Sequence, residues 1–200
     1  MALTVRDVMV TDLLTVRPET TAREAYRLMR DRRFRHLPVL QDGRLVGILS
    51  DRDLRPVLLS PALGGARVAD LMSEDLTTVA PDAPVEEAAS LLVVKKIGCL
   101  PVLANGRLVG LVTETDLLAV LVELLGLLTQ STRLDVAVSG GPDAYERIVD
   151  IIRECHGRII SVGAVPAAAG RTVFSVRLEP TDPRPIVAAL REASFEVLTR

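Results

Sequence analysis

Two seven-residue stretches carry the residue types best suited to chemistry: Gly47-Ile48-Leu49-Ser50-Asp51-Arg52-Asp53 and Gly110-Leu111-Val112-Thr113-Glu114-Thr115-Asp116. In each, the glycine permits close backbone approach. The hydroxyl of Ser50 or Thr113 ends a predicted strand, and the free N–H groups of the helix that follows make a phosphate seat. An acid three residues later, Asp53 or Asp116, can accept two hydrogen bonds from a ribose diol. Ser-x-x-Asp or Thr-x-x-Asp ahead of an apolar helix is also a plain capping box, with Ser50 or Thr113 as the N-cap. On one tetrapeptide alone, capping is the better explanation.

Recurrence shifts that balance. At an offset of 63, residues 5–54 align without a gap on residues 68–117, and 22 of the 50 positions are identical. The densest identity joins Leu37-Pro38-Val39-Leu40 to Leu100-Pro101-Val102-Leu103, and Gly43-Arg44-Leu45-Val46-Gly47 to Gly106-Arg107-Leu108-Val109-Gly110. The chain is therefore an internal repeat, and the two loops are copies of one device.

The same elements must position both loops. Thr4 and Asp7 form a capping box for a short opening helix through Met9. A short strand is predicted around Leu14–Val16, closed by Pro18. Thr21 and Glu24 then start a helix that turns Ala22, Ala25, Leu28 and Met29 to one side. In the second copy Pro84 opens the equivalent helix, with Val85, Ala88, Ala89 and Leu92 on its inner face. Strands at Leu37–Leu40 and Leu45–Leu49 meet at Asp42-Gly43, and strands at Leu100–Leu103 and Leu108–Val112 meet at Asn105-Gly106. Both dipeptides are strong hairpin signals, since both central positions need φ > 0. A last helix is predicted after Asp53 and after Asp116. Each unit reads βαββα with an extra N-terminal helix.

This pattern resembles the cystathionine-β-synthase (CBS) domain, which occurs in tandem pairs called Bateman modules. The likeness rests on Val-x-Asp-x-Met, the Thr-Val strand, the Leu-Pro-Val strand and the closing Gly-x-x-Ser/Thr-x-x-Asp-Leu, each present twice. The domains expected from it are residues 1–62 and 63–129. The resemblance implies clefts between the repeats for an adenosine-containing ligand: ATP, ADP, AMP or S-adenosylmethionine. By position, Asp53 and Asp116 would hold ribose hydroxyls, and Ser50 and Thr113 would face phosphates. Thr15 and Thr78, with neighbours that include Leu14, Val16, Thr77 and Val79, would line the base pocket. His36-Leu37-Pro38 and Cys99-Leu100-Pro101 would supply its other wall.

The copies differ in cations. Arg17, Arg35, Arg52 and Arg55 of the first copy align with Ala80, Gly98, Thr115 and Leu118 of the second. Guanidinium forks bind phosphate bidentately. The cleft built on Asp53 is therefore expected to prefer the more phosphorylated ligand; the alternative is that these arginines are solvated or pair with surface acids.

Composition narrows the remaining classes. A net charge of −2 offers no basic footprint for nucleic acid, and 2% aromatics leaves few platforms for stacked bases. Cys99 and Cys155 are too scattered for a disulfide framework or metal cluster and read as reduced, buried thiols. His36 and His156 have no ligand-like company for a metal; His36 has no Ser or Cys partner arranged near it, and His156 sits near a predicted helix end, where it favours the dipole. Residues 1–10 do not read as a signal peptide. The apolar run Leu117–Leu128, interrupted by Glu123, is too short to span a bilayer and reads as a buried or interface-facing helix. A cytoplasmic, non-catalytic regulator acting on an unidentified protein is expected, with no catalytic cofactor, metal, nucleic-acid or membrane partner. The competing description is a constitutive dimerisation scaffold with vestigial clefts.

Beyond Thr129 the pattern changes. Leu134, Val136 and Val138 alternate as a strand, ending at Ser139-Gly140-Gly141-Pro142. A helix through Cys155, strands at 158–165 and 171–178, a helix opened by Pro183 or Pro185, and a strand at 195–198 follow. The order βαββαβ is a split βαβ, ferredoxin-like layout. It resembles the ACT domain, a regulatory module that often binds amino acids at a dimer interface, with Gly140 and Gly141 in its ligand loop. An amino acid there, or dimerisation alone, are both open, and a homodimer is expected. A CBS pair followed by an ACT-like domain (130–200) is similar in order to bacterial acetoin-utilisation accessory proteins.

Overall fold

The computed structural model describes residues 3–59, 65–139 and 143–198. Two compact units divide the chain, residues 1–118 and 119–200. Both repeats lie in the first.

Local chemistry sets the elements of the first repeat. Helix α1 (Val5–Val8) is closed by the Thr4/Asp7 capping box, with Thr4 N–H and Oγ1–H donating to Asp7 at 2.8 and 2.7 Å. Helix α2 (Ala22–Arg32) starts where Thr21 Oγ1 accepts Glu24 N–H and buries Ala22, Ala25 and Met29. Strands β1 (His36–Gln41) and β2 (Arg44–Ser50) pair antiparallel through Asp42-Gly43, whose φ values of 50° and 75° match the expected turn. Helix α3 (Asp51–Leu59) follows at once. The second repeat gives a 3₁₀ turn (Val68–Asp70), α4 (Val85–Lys95), β3 (Cys99–Ala104), β4 (Arg107–Thr113) and α5 (Glu114–Leu124). Its hairpin turns at Asn105-Gly106, again with both φ positive.

Three expectations need correction. The strand at Leu14–Val16 shrinks to one residue: Val16 bridges Val39, donating to Pro38 O and accepting from Leu40 N–H, before Pro18 stops the ladder. The closing helices begin at Asp51 and Glu114, because Ser50 and Thr113 are the caps and place Asp53 and Asp116 inside the first turn. Of the two expectations for the run from Leu117, buried or interface-facing, burial along its length does not hold. Leu117 enters the second core, whereas Leu118, Leu121 and Leu124 are exposed.

The repeats exchange their opening segments. Val5 of α1 is fully buried in the core of the second repeat, with Leu92, Leu100 and Val112, and its N–H donates to Ala83 O. Val68 is fully buried in the core of the first, with Ala25, Leu37 and Leu54. Isolated bridges continue the exchange: Val10 pairs with Leu111 on β4, and Ser73 with Ile48 on β2. Beside those bridges, Met9 lies over Gly110 and Met72 over Gly47. The unit of sequence repetition is therefore not the unit of packing.

The second unit forms a four-stranded antiparallel sheet, β6-β7-β5-β8, from β5 (Thr132–Val138), β6 (Ile159–Pro166), β7 (Thr172–Leu178) and β8 (Glu196–Val197). Helices α6 (Ala144–Glu154) and α7 (Arg184–Glu192) supply Ile148, Ile152, Ile186 and Leu190 to its core. This is the expected βαββαβ order with the split-βαβ strand arrangement. Gly140 and Gly141 lie outside the described residues. Cys99 is buried, but Cys155 is only half-buried, since it follows α6 at its open end.

The Met–Gly contacts can be tested directly. A Cβ on Gly47 would fall within 2.9 Å of Met72 Cγ and 3.2 Å of its Cβ, so the whole side chain would have to move. Gly47→Ala is expected to destabilise by about 1–3 kcal/mol in denaturant unfolding, as overpacked cores do. Gly163→Ala, in β6 with nothing within 4 Å of the new carbon, is the tolerated control.

Candidate functional site

The exchange creates two clefts in the first unit, related by the repeat. One is lined by Thr113, Thr115 and Asp116 of the second repeat together with Asp12, Leu13 and Arg35 of the first. The other is lined by Ser50, Arg52 and Asp53 of the first repeat together with Asp75, Leu76 and Lys96 of the second. Their volumes are about 240 and 270 Å³. These lie just under the roughly 300 Å³ at which pockets for drug-sized ligands begin, so a mononucleotide would keep part of itself in solvent.

At the centre of each cleft the two explanations of the loop coincide. Ser50 N–H and Oγ–H donate to Asp53 Oδ2 at 2.7 and 2.6 Å. Thr113 N–H and Oγ1–H donate to Asp116 Oδ2 at 2.8 and 2.7 Å, and Asp116 N–H returns a bond to Thr113 Oγ1 at 3.3 Å. The second set is a reciprocal capping box; the first shares its geometry without the return bond from Asp53 N–H. They engage one carboxylate oxygen and hold the side chain in place; among the described residues Oδ1 of each Asp accepts no hydrogen bond. A capped Asp is a pre-oriented acceptor. The helix start is partly occupied as well, since Asp51 N–H donates to Arg35 O at 2.9 Å and Glu114 N–H to Gly98 O at 3.3 Å.

The motif glycines do admit a close neighbour. What approaches Gly47 and Gly110 closely is the methionine of the opposite repeat, not the cleft.

The predicted site residues separate into two groups. Arg35, His36, Thr113 and Asp116 line one cleft; His36, Ser50, Arg52, Asp53, Cys99 and Pro101 line the other. Leu37, Leu100, Val16 and Val79 are instead buried in the two cores. Pro38 is buried in β1 and passes its carbonyl to Val16. Thr15 borders a separate hollow beside the Asp42-Gly43 turn, and Thr78 lines neither cleft. Of the wall expected from Thr15 and Thr78 with Leu14, Val16, Thr77 and Val79, Leu14 and Thr77 line the clefts, joined by Leu13 and Leu76, while the bridging valines turn inward to the cores.

The four arginines of the first repeat do not gather in one cleft. Arg35 lines the Asp116 cleft, Arg52 the Asp53 cleft, Arg17 the separate hollow, and exposed Arg55 pairs with Asp51 at 3.5 Å. Each cleft then holds two cations against two carboxylates: Arg33 and Arg35 with Asp12 and Asp116, or Arg52 and Lys96 with Asp53 and Asp75. Arg33 and Lys96 were not singled out from sequence. They terminate α2 and α4 in the left-handed region, at φ 56° and 55°, where Gly or Asn is the usual choice. A long cation at the same strained position in both repeats was the available signal.

His36 lines both clefts. Burial lowers its pKa from the ordinary 6.5, and Arg35 and Arg52 act in the same direction while Asp51 and Asp53 oppose them. The imidazole is neutral at pH 7. Burial pushes the Cys99 thiol up to about 12, which removes it as a nucleophile. Among the described residues no His/Cys/Asp/Glu group could hold a metal, and no helix is long and apolar enough to cross a membrane.

Two measurements test this geometry. Ser50→Ala and Thr113→Val should each lose about 0.5–2 kcal/mol of unfolding free energy, the usual value of an N-cap. NMR titration of His36 should give a midpoint below 6.5. The stability owed to its neutral form is complete above 6.5 and is lost as pH falls toward the folded midpoint; His36→Gln should remove that acid-side loss.

Comparison with known proteins matches this architecture. The CBS domain model matches residues 5–60 and 68–123. A CBS domain-containing protein of Dictyostelium discoideum is 36% identical over 138 residues, covering 62% of this chain and 95% of the relative. The inosine-5'-monophosphate dehydrogenase of Korarchaeum cryptofilum is 39% identical over 108 residues, but the chain spans only 22% of its length. Among solved structures, a Vibrio cholerae protein assigned to acetoin utilization (AcuB) is 34% identical with a TM-score of 0.58, covering 66% of this chain and 99% of that one. The protein CBSX2, solved with AMP, is 32% identical with a TM-score of 0.54, covering 60% and 96%. The CBS pair of MJ0100, solved with 5-methylthioadenosine and S-adenosyl-L-methionine, is 25% identical with a TM-score of 0.56, covering 60% and 97%. With the family model matched in both repeats, this chain belongs to the CBS-domain family, as a tandem pair.

Proposed function

We propose that this chain is a non-catalytic regulatory protein that senses an adenosine-containing ligand in its two clefts. The observation that carries the proposal is the arrangement made twice: a capped Asp with one oxygen available, in a cleft with two cations of which at least one, Lys96 in one cleft and Arg33 and Arg35 in the other, comes from the opposite repeat. Asp53 and Asp116 would take the ribose diol through Oδ1. Arg52 with Lys96, and Arg33 with Arg35, would meet phosphate or another anionic group. Leu13 and Leu14 in one cleft, and Leu76 and Ile97 in the other, offer apolar surface to the base. AMP bound to CBSX2, and S-adenosyl-L-methionine bound to MJ0100, support this ligand class.

A ligand seated here touches both repeats and can favour one arrangement of the pair only by its differential affinity. The second unit, with its ferredoxin-like order, would act as an ACT-like regulatory domain that receives this state or binds an amino acid. Self-association as a homodimer suits α4, where Val93 and Val94 are 74% and 72% exposed. The aligned positions in the first repeat are Arg30 and Asp31. That contrast favours the scaffold alternative.

A thermal-shift panel of ATP, ADP, AMP, S-adenosylmethionine and free amino acids separates these. A ligand at 100 times its dissociation constant should add about 2.7 kcal/mol. Asp53→Ala and Asp116→Ala should each remove one binding event in calorimetry. No shift with any adenosine compound at millimolar concentration overturns the sensor in favour of the scaffold.

A further inference from the structure

The two clefts share one side chain. His36 begins β1, stands opposite Ser50 in the β1–β2 register, and lines the Asp53 cleft from there. It also lines the Asp116 cleft, next to Arg35. Its counterpart in the second repeat, Cys99, is shorter and lines the Asp53 cleft alone. The imidazole occupies space left by a missing side chain: a Cβ on Gly98 would lie 3.0 Å from Nε2 and 3.1 Å from Cε1. Position 98 aligns with Arg35 in the first repeat. The seam between the clefts thus joins Arg35-His36 to Gly98-Cys99, and only one ring spans it.

Resting on the sensor function above, we propose that His36 is a common wall through which occupancy of one cleft changes the ligand affinity of the other. One ring has one rotamer at a time, and a neutral imidazole offers one N–H donor and one acceptor nitrogen. A ligand that fixes either property in its own cleft fixes it for both. The second ligand therefore meets a wall already set. The coupling is reciprocal, as any linkage between two binding equilibria must be. No movement of either repeat is required.

Calorimetry with AMP tests this in the full chain. Asp53→Ala and Asp116→Ala give the affinity of each cleft alone, and the intact protein gives the overall two-site constant. That constant should differ from the product of the single-site constants by about fivefold or more, the lower end of typical coupling. The difference should vanish in His36→Ala. It should also shrink in Gly98→Ala, which displaces the ring by contact at a position outside the left-handed region and leaves the histidine in place. A constant equal to the product, or a coupling unchanged in both variants, overturns the proposal while leaving two adenosine sites standing. Absence of AMP binding, with no shift in the thermal panel, would instead overturn the sensor function, and this coupling with it.

Discussion

Each repeat lends its first residues to the other, and two methionines resting on two glycines hold the loan in place. Met9 over Gly110 and Met72 over Gly47 bring the residue 10 and residue 73 segments close enough to bridge β4 and β2. Neither hydrophobic core is complete without this, because Val5 and Val68 are each fully enclosed by the other repeat. Interior packing tolerates few voids, so a core missing such a residue would have to collapse or refill.

The clefts follow from the same exchange. A strand-to-helix loop supplies a hydroxyl and an acid, but the surface facing it comes from the residues after the opposite opening segment and from the left-handed end of the opposite helix. Each cleft is thus composite, and its charge is set by both repeats. That is why the arginine bias of the first repeat does not produce a biased cleft. The second unit is built on another principle, a single sheet with two helices packed on one core.

Much of the fold was legible locally. Helix caps at Thr4, Thr21, Ser50 and Thr113, and hairpins at Asp42-Gly43 and Asn105-Gly106, are decided by contacts within a few residues, and pattern reading finds them. The βαββαβ order after Thr129 was legible for the same reason. The exchange was not, because nothing in Val5 or Met9 says which of two homologous cores will take it. The base-pocket walls were read in part: Leu14 and Thr77 line the clefts, but Val16 and Val79 look like strand, and one bridge turns each into the core. Arg33 and Lys96 were overlooked because a helix end with a cation looks ordinary until its φ is known. The close approach expected at the motif glycines is real, and it is a methionine that makes it.

The crossed packing also orders events in time. As the chain emerges from synthesis, the first repeat can form its hairpin and α2, but its core stays open until Val68 and Met72 have followed. Val5 must wait longer still, until β4 delivers Val112. Contacts so distant in sequence close large loops before they return any stabilisation, which slows folding and favours a late, concerted transition. Neither repeat completes its own core. A molecule cut between them would expose an apolar surface on each half shaped to receive the other's leading segment.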